Sequence, residues 1–238
     1  AVALLVALPA LALEPCGDWQ RVYPWPTDVW LHGVAWGDGR FVAVGDGVAV
    51  TSEDGVVWSE HETRPDLFLN AVIRAGDRFG AVGDSPYGSW SQGQVAWSGD
   101  GVSWDVVPVL AQHLYDVAWD GQRFVAVGGH YEPDTGADLL FSDDGETWIP
   151  LTSTGFGPLR AVAWGGGVWV AAGFDGLARS LDGAQWEMVA HGGPVRDVAW
   201  HGDRFVALWR DLIVVSRDGT GWTELSPRPP GSPDFLAA

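Results

Sequence analysis

The segment Ser-x-Asp-Gly-x-x-Trp occurs five times in this 238-residue chain, and it restricts the possible folds more than any other feature. The five copies, which we call the repeat turns, begin at Ser52, Ser98, Ser142, Ser180 and Ser216. Successive copies are 46, 44, 38 and 36 residues apart, which is the length of a repeat that folds into one four-stranded sheet. Such sheets must stack, because a single one cannot bury both of its faces.

A second signature precedes each repeat turn. It consists of two apolar, β-branched-rich runs joined by a Gly- or Asp-containing turn, which is the pattern of a β-hairpin. The copies span residues 31–45, 69–83, 114–128, 159–173 and 195–209. In every copy, the last residue of the first run stands five positions before an aromatic residue of the second. We assign four strands to each repeat: a and b form the hairpin, c leads into the repeat turn, and d carries the tryptophan.

These motifs resemble the Asp-box, or BNR, repeat of sialidases, sortilin-type receptors and photosystem II assembly factors. The usual box has one more residue between its Asp and its Trp, so the turn here is a shortened variant. The resemblance covers residues 31–226 and implies a β-propeller. Radial stacking would also bury the apolar faces of strands a and b. We predict an all-β chain that forms a β-propeller of five four-stranded antiparallel blades, with six blades, one incomplete, as the alternative.

The residues of the repeat turns are predicted to stabilise the fold rather than to bind a ligand. The Asp carboxylate is placed to accept backbone N–H bonds, and the Gly supplies a positive φ. Five identical copies around a ring cannot converge on one ligand. This structural role is predicted for Ser52, Asp54, Trp58, Ser98, Asp100, Trp104, Ser142, Asp144, Trp148, Ser180, Asp182, Trp186, Ser216, Asp218 and Trp222.

Both ends of the chain are expected to lie outside the propeller domain, which we place at residues 13–226. Residues 1–12 are almost wholly apolar, but the run is too short to cross a bilayer. It ends in an Ala-x-Ala cleavage site, so we interpret it as a truncated signal peptide. The Pro-rich residues 227–238 are interpreted as a disordered tail. A secreted or periplasmic protein is therefore predicted. A lipid anchor on Cys16 and a buried N-terminal strand are the alternatives.

Residues 18–23 are interpreted as an additional strand d. Trp19 precedes the first strand a by 12 residues, whereas the tryptophans of the repeat turns precede the next strand a by 9 to 11. We expect this strand to pair near the last blade and to close the ring.

The composition argues against several classes of function. The chain has 31 acidic side chains against 13 arginines and no lysine, so its net charge is −18, which disfavours binding to nucleic acid or to anionic membranes. Its single cysteine excludes a disulfide framework and a cysteine-based zinc site. No local metal-ligand spacing is present, so no metal or other cofactor is predicted, and the histidines are interpreted as exposed loop residues.

One end of each blade varies between repeats. This variable end carries the b–c and d–a connections, and repeats 2 and 3 have neighbouring b–c insertions of eight and seven residues there. The second residue of strand a, at the inner edge of the same end, is polar in every repeat and is of four different types in the five repeats. Function concentrates in loops that a rigid scaffold holds. We therefore predict a ligand-binding site that includes Tyr87, Trp90, Tyr115, His130, Tyr131, Glu132, Arg160 and Arg196.

The favoured function is an exported, monomeric, non-catalytic propeller that binds a protein or glycan through the variable end, with no catalytic residue. The resemblance implies two alternatives. One is a sialidase-like glycoside hydrolase, although the Arg-Ile-Pro motif of sialidases is absent. The residue types for that chemistry are present in Arg64, Tyr115, Tyr131, Glu132, Arg160 and Arg196. The other is an assembly or stability factor, although the photosystem II factors have seven blades and an Arg-rich surface.

Overall fold

The computed structural model describes residues 26–225, except residues 65, 86–91, 131–135 and 152–154. Within these residues, twenty strands form five four-stranded antiparallel sheets and no helix is present. In each sheet the strands pair in chain order, from a to d. The prediction of an all-β propeller with five blades is therefore confirmed. The strand predicted at 18–23, the signal peptide and the tail lie outside the described residues.

The strand bounds are as follows. Blade 1 consists of β1 (Leu31–Gly37), β2 (Arg40–Gly45), β3 (Val48–Ser52) and β4 (Ser59–Glu62). Blade 2 consists of β5 (Phe68–Ala75), β6 (Arg78–Ser85), β7 (Gln92–Ser98) and β8 (Asp105–Pro108). Blade 3 consists of β9 (Leu114–Trp119), β10 (Phe124–Gly129), β11 (Ala137–Ser142) and β12 (Ile149–Pro150). Blade 4 consists of β13 (Leu159–Gly165), β14 (Val168–Gly173), β15 (Gly176–Ser180) and β16 (Trp186–His191). Blade 5 consists of β17 (Val195–His201), β18 (Arg204–Trp209), β19 (Leu212–Ser216) and β20 (Thr223–Glu224).

The five a strands surround a central channel. They line one cavity of about 440 Å³, and most of the lining residues are apolar, including the small Ala35, Ala118 and Ala163. Small side chains at this radius let neighbouring sheets approach closely. The hydrophobic core lies between the blades, where strands b and c of one sheet pack against strands a and b of the next.

The two residues that stand five positions apart in every hairpin lie directly opposite each other as a cross-strand pair. Trp36 lies opposite Phe41, with their ring centroids 4.4 Å apart, and Trp200 lies opposite Phe205 at 4.7 Å. In blade 2 the arginine at this position, Arg74, places its guanidinium over a ring instead. Such aromatic pairs add to the stabilisation that area burial supplies. They lie at the a–b end, opposite the variable end.

The repeat turns are closed by hydrogen bonds of one pattern. In blade 1, the Gly55 N–H donates to Ser52 Oγ at 2.8 Å, and the N–H groups of Val56 and Val57 each donate to Asp54 Oδ1 at 2.8 Å. The other four turns repeat both features, with N–H to carboxylate distances of 2.7–3.2 Å. These N–H donors favour the ionised carboxylate, so the pKa of every turn Asp is lowered.

The glycine of each repeat turn has a positive φ, and in four blades it also packs against the preceding blade. A Cβ on Gly101, whose φ is +76°, would lie 2.5 Å from Cγ2 of Val42 in blade 1. A Cβ on Gly55, whose φ is +74°, would meet only the Phe41 ring of its own blade at 3.3 Å. The two positions thus have the same backbone conformation and different surroundings.

Replacing each of these glycines by alanine separates the two effects. Both Gly55→Ala and Gly101→Ala should lose stability because of the positive φ. Gly101→Ala should lose about 1–2 kcal/mol more, because its methyl group overpacks the seam between two blades. Urea unfolding of the two variants measures the difference. Equal midpoints would show that the packing of blade 1 against the second turn contributes nothing.

Candidate functional site

The variable second residue of strand a is the extra residue of a β-bulge in all five blades. In blade 1, Leu31 pairs with Gly45 and Gly33 pairs with Val44, so His32 has no partner in the ladder. Bulges commonly redirect a side chain next to a functional site. The equivalent bulged residues are Asn70, Tyr115, Arg160 and Arg196. The sequence indicated this position by its variation, but nothing in the residues themselves predicted a bulge.

A hydrogen-bonded network joins blades 2 and 3 at the variable end. The Nδ1 atom of His113 lies 2.7 Å from Asp84 Oδ2. Asn70 Nδ2 donates to the other Asp84 oxygen at 3.3 Å and to the Leu114 carbonyl oxygen at 2.8 Å. The network holds the His113 ring in place, and this side chain is only 18% exposed. The interpretation of the histidines as exposed loop residues is therefore wrong for His113, because the preceding blade covers it.

His113 is the centre of a stack of rings. Its ring lies parallel to that of Tyr115, with the centroids 6.2 Å apart, and 5.3 Å from that of His130. The Arg160 guanidinium carbon lies 5.1 Å from the centre of the Tyr115 ring. Burial raises the pKa of Tyr115, while the charge of Arg160 opposes that shift. The phenol therefore stays protonated at neutral pH and remains a hydrogen-bond donor beside a cation and two imidazoles.

The d–a connection before the third blade is held in place by Asp138. Asp138 Oδ2 accepts hydrogen bonds from the backbone N–H groups of Gln112 and His113 at 2.8 and 3.2 Å. Asp138 lies on β11, so these two bonds tie that strand to the d–a connection before blade 3. Sequence reasoning did not find the contributions of Asp84, His113 and Asp138 to this site.

Three of the eight predicted ligand-binding residues are thus brought together: Tyr115, His130 and Arg160. Arg196 is exposed on β17, two blades away from Tyr115. The other four, Tyr87, Trp90, Tyr131 and Glu132, lie outside the described residues.

A buried carboxyl group stands next to the bulge of blade 3. Asp116 accepts hydrogen bonds from the Val117 N–H at Oδ1 and from the Val162 N–H of blade 4 at Oδ2, each at 2.8 Å. Burial, with a smaller contribution from the charge of Asp197, raises the pKa of Asp116 to about 7. Burial also raises the pKa of Asp197, which holds the equivalent position in blade 5. Blades 3 and 5 therefore carry, at equivalent positions of strand a, carboxyl groups whose pKa is raised above the usual range.

Neither a metal centre nor a membrane-spanning helix is found in the part of the chain that the structure describes. No three His, Cys, Asp or Glu side chains there come together as a metal site requires. The same residues contain no helix long and apolar enough to cross a membrane.

Comparison with solved structures identifies the class of this chain. One match is a nidogen–laminin complex, at 10% identity over 79% of this chain and 76% of that chain, with a TM-score of 0.60. Two others are extracellular-domain structures of the B. thetaiotaomicron protein BT4673, described as a hybrid two-component system and as a one-component system. Both are 12% identical; they cover 79% and 87% of this chain and only 27% and 28% of their own chains, with TM-scores of 0.59 and 0.60.

At these identities the likeness shows the fold alone, and that fold is the β-propeller. No family model matches the chain, and no curated protein matches it either. The chain is therefore a five-bladed β-propeller, and the resemblance to Asp-box repeats stays a prediction.

Proposed function

We propose that this protein is an exported, non-catalytic β-propeller that binds a glycan or a protein at its variable end. The observation that carries the proposal is the ring of five bulged residues, which are polar and are of four different types in otherwise repeated blades. A uniform scaffold with one non-uniform rim is the arrangement expected of a binding surface. Export is supported by the apolar residues 1–12, and the extracellular origin of the structural relatives agrees with it.

The stack on blades 2–4 defines what the site is suited to bind. The rings of Tyr115 and His130, which flank the largely buried His113, provide aromatic surface on which a sugar or an aromatic side chain packs. Arg160 adds a guanidinium, which holds a carboxylate with two parallel hydrogen bonds. We therefore infer a ligand that combines an apolar face with an acidic group, such as a uronate-containing glycan or an acidic peptide.

The hydrolase alternative receives no comparable support. A sialidase-like site needs arginines that converge on the substrate carboxylate. Arg64 instead donates to both carboxylate oxygens of Asp66, at 3.1 and 2.7 Å. Arg160 packs on the ring of Tyr115.

Screening with a glycan array rich in sialic and uronic acids, and with a phage-displayed peptide library, tests this proposal. For a ligand found in either screen, Tyr115→Ala combined with Arg160→Ala should weaken binding roughly 30-fold or more, because a stacking face and a charged pair are lost. Trp90→Ala combined with Tyr131→Ala should abolish binding without unfolding the protein.

The matched control changes the opposite end of the channel. Asp77→Ala and His201→Ala lie in a–b turns and should leave the affinity unchanged. Binding that survives both double variants and is lost with these controls would show that the ligand uses the other end. Failure of both screens to yield a ligand would overturn the proposal.

A further inference from the structure

Four of the seams between neighbouring blades are held by the same contact. An arginine of one blade donates to the carbonyl oxygen of the turn Asp in the next: Arg40 to Asp100, Arg78 to Asp144, Arg123 to Asp182 and Arg179 to Asp218, at 2.6–3.1 Å. Among the described residues, no arginine does the same for Asp54 in blade 1. Arg204 holds the position in blade 5 that Arg40 holds in blade 1, yet it pairs with the adjacent Asp203.

Apolar packing divides the seams in the same way. Val44, Val82 and Val127, which occupy one position of strand b in blades 1–3, are fully buried by the next blade. Leu208, their counterpart in blade 5, is 42% exposed. Val29, two residues before Leu31, is also 42% exposed, whereas Leu67, two residues before the equivalent Leu69 of blade 2, is 1% exposed.

The inner strands show the same difference. β1 contacts β5, β5 contacts β9, β9 contacts β13, and β13 contacts β17. Within the described residues, β17 and β1 make no contact of similar extent. The hydrogen bonds, the burial and the strand contacts therefore all indicate that, among the described residues, the face of blade 5 toward blade 1 lacks a neighbour. We call this face, with Val206 and Leu208 at its centre, the open seam.

We propose that residues 13–25 of this chain bind in the open seam and connect blade 5 to blade 1. The segment is tethered beside the seam, because the described chain begins at Pro26, directly before blade 1. It carries apolar and aromatic side chains that match an apolar face, namely Trp19, Val22, Tyr23 and Trp25. Trp19 precedes the first strand a by 12 residues, close to the 9 to 11 residues between the tryptophan of a repeat turn and the next blade.

Accessible arginines of blade 5 offer local partners to the carboxylates of the segment, although the blade as a whole has five carboxylates against four arginines. Blade 5 carries four of the thirteen arginines of the chain, Arg196, Arg204, Arg210 and Arg217. The segment carries Glu14 and Asp18 against a single arginine, Arg21. Arg204 and Arg217 are 40% and 77% exposed, so both are accessible to an acidic partner. This inference does not depend on the proposed ligand.

The single cysteine of the chain provides a direct test, because Cys16 lies within the segment. A nitroxide spin label on Cys16 of the full chain should broaden the NMR amide signals of Val206, Leu208 and neighbouring residues of blade 5. Amide signals of blade 3 should stay sharp. As a control, the same label is attached to a cysteine introduced by Gln122→Cys in a chain that also carries Cys16→Ser. It should broaden the amide signals of blade 3 and leave those of blade 5 sharp.

A double-mutant cycle tests the contact itself. Trp19→Ala and Leu208→Ala should each lower the urea midpoint, and together they should lower it by less than the sum, because they remove the same contact. Trp19→Ala and Leu181→Ala should be additive, since Leu181 is 66% exposed on blade 4, outside the seam.

Three outcomes would overturn the proposal. The first is an absence of broadening in blade 5. The second is broadening of the blade 5 signals in a mixture of two samples, one spin-labelled but without the NMR isotope and the other isotope-labelled but without the spin label. Such broadening would show that the seam binds a second copy of the chain. The third is additivity of Trp19→Ala and Leu208→Ala.

Discussion

Stability of this protein against urea should fall as the pH rises from about 4 to about 7, by at most about 4 kcal/mol. The cause is Asp116, whose pKa is raised by burial to about 7 in the folded protein, whereas an unfolded Asp titrates near 4. A raised folded pKa means that the contribution is fully present below pH 4 and is lost as the pH rises through 7. Asp197 contributes in the same direction, because burial raises its pKa too.

The variant Asp116→Asn identifies the group responsible. An amide does not ionise, so the decline between pH 4 and pH 7 should be reduced to the part that Asp197 contributes. The carboxyl carbon signal of Asp116, followed by NMR across the same range, should titrate near neutral pH. An unchanged decline in Asp116→Asn would assign the effect to another group.

Asp144→Ala should destabilise the protein by about 1–2 kcal/mol, and by more than Asp143→Ala does. Asp144 accepts the N–H groups of Glu146 and Thr147, at 2.8 and 2.7 Å, and the Ser142 hydroxyl at 3.0 Å. Asp143 forms a bidentate pair with Arg123 but is 65% exposed. Exposed pairs contribute little because water screens them. Equal urea midpoints for the two variants would contradict the prediction that Asp144 contributes more to stability than Asp143.

The same turn predicts a response to acid. The backbone N–H donors lower the pKa of Asp144 to about 2, so its contribution is present above pH 4 and is lost as the pH falls toward 2. All five turn carboxylates shift in this direction. Acid unfolding should therefore begin below pH 4, and Asp144→Ala should show a smaller loss of stability in that range than the parent chain.

The parts of the structure that the sequence alone determined are local. A repeat turn such as Ser52 to Trp58 is held by hydrogen bonds between residues two or three positions apart, so seven residues are enough to specify it. Each hairpin is equally local, since Trp36 and Phe41 are joined by one tight turn. Five copies at nearly constant spacing then determine the number of blades, because each sheet must bury its faces against a neighbour.

The features that only the tertiary structure decided depend on residues distant in the chain. His113 meets Asp84 across 29 positions, and Asp116 meets the N–H of Val162 across 46, in each case between two blades. The bulge at Tyr115 and the burial that shifts the pKa of Asp116 both arise where strand a meets its neighbours. No local pattern encodes the distance between two sheets. The binding candidates were therefore recognisable as a variable position, whereas their stacking, their hydrogen bonds and the open seam follow only from how the blades pack.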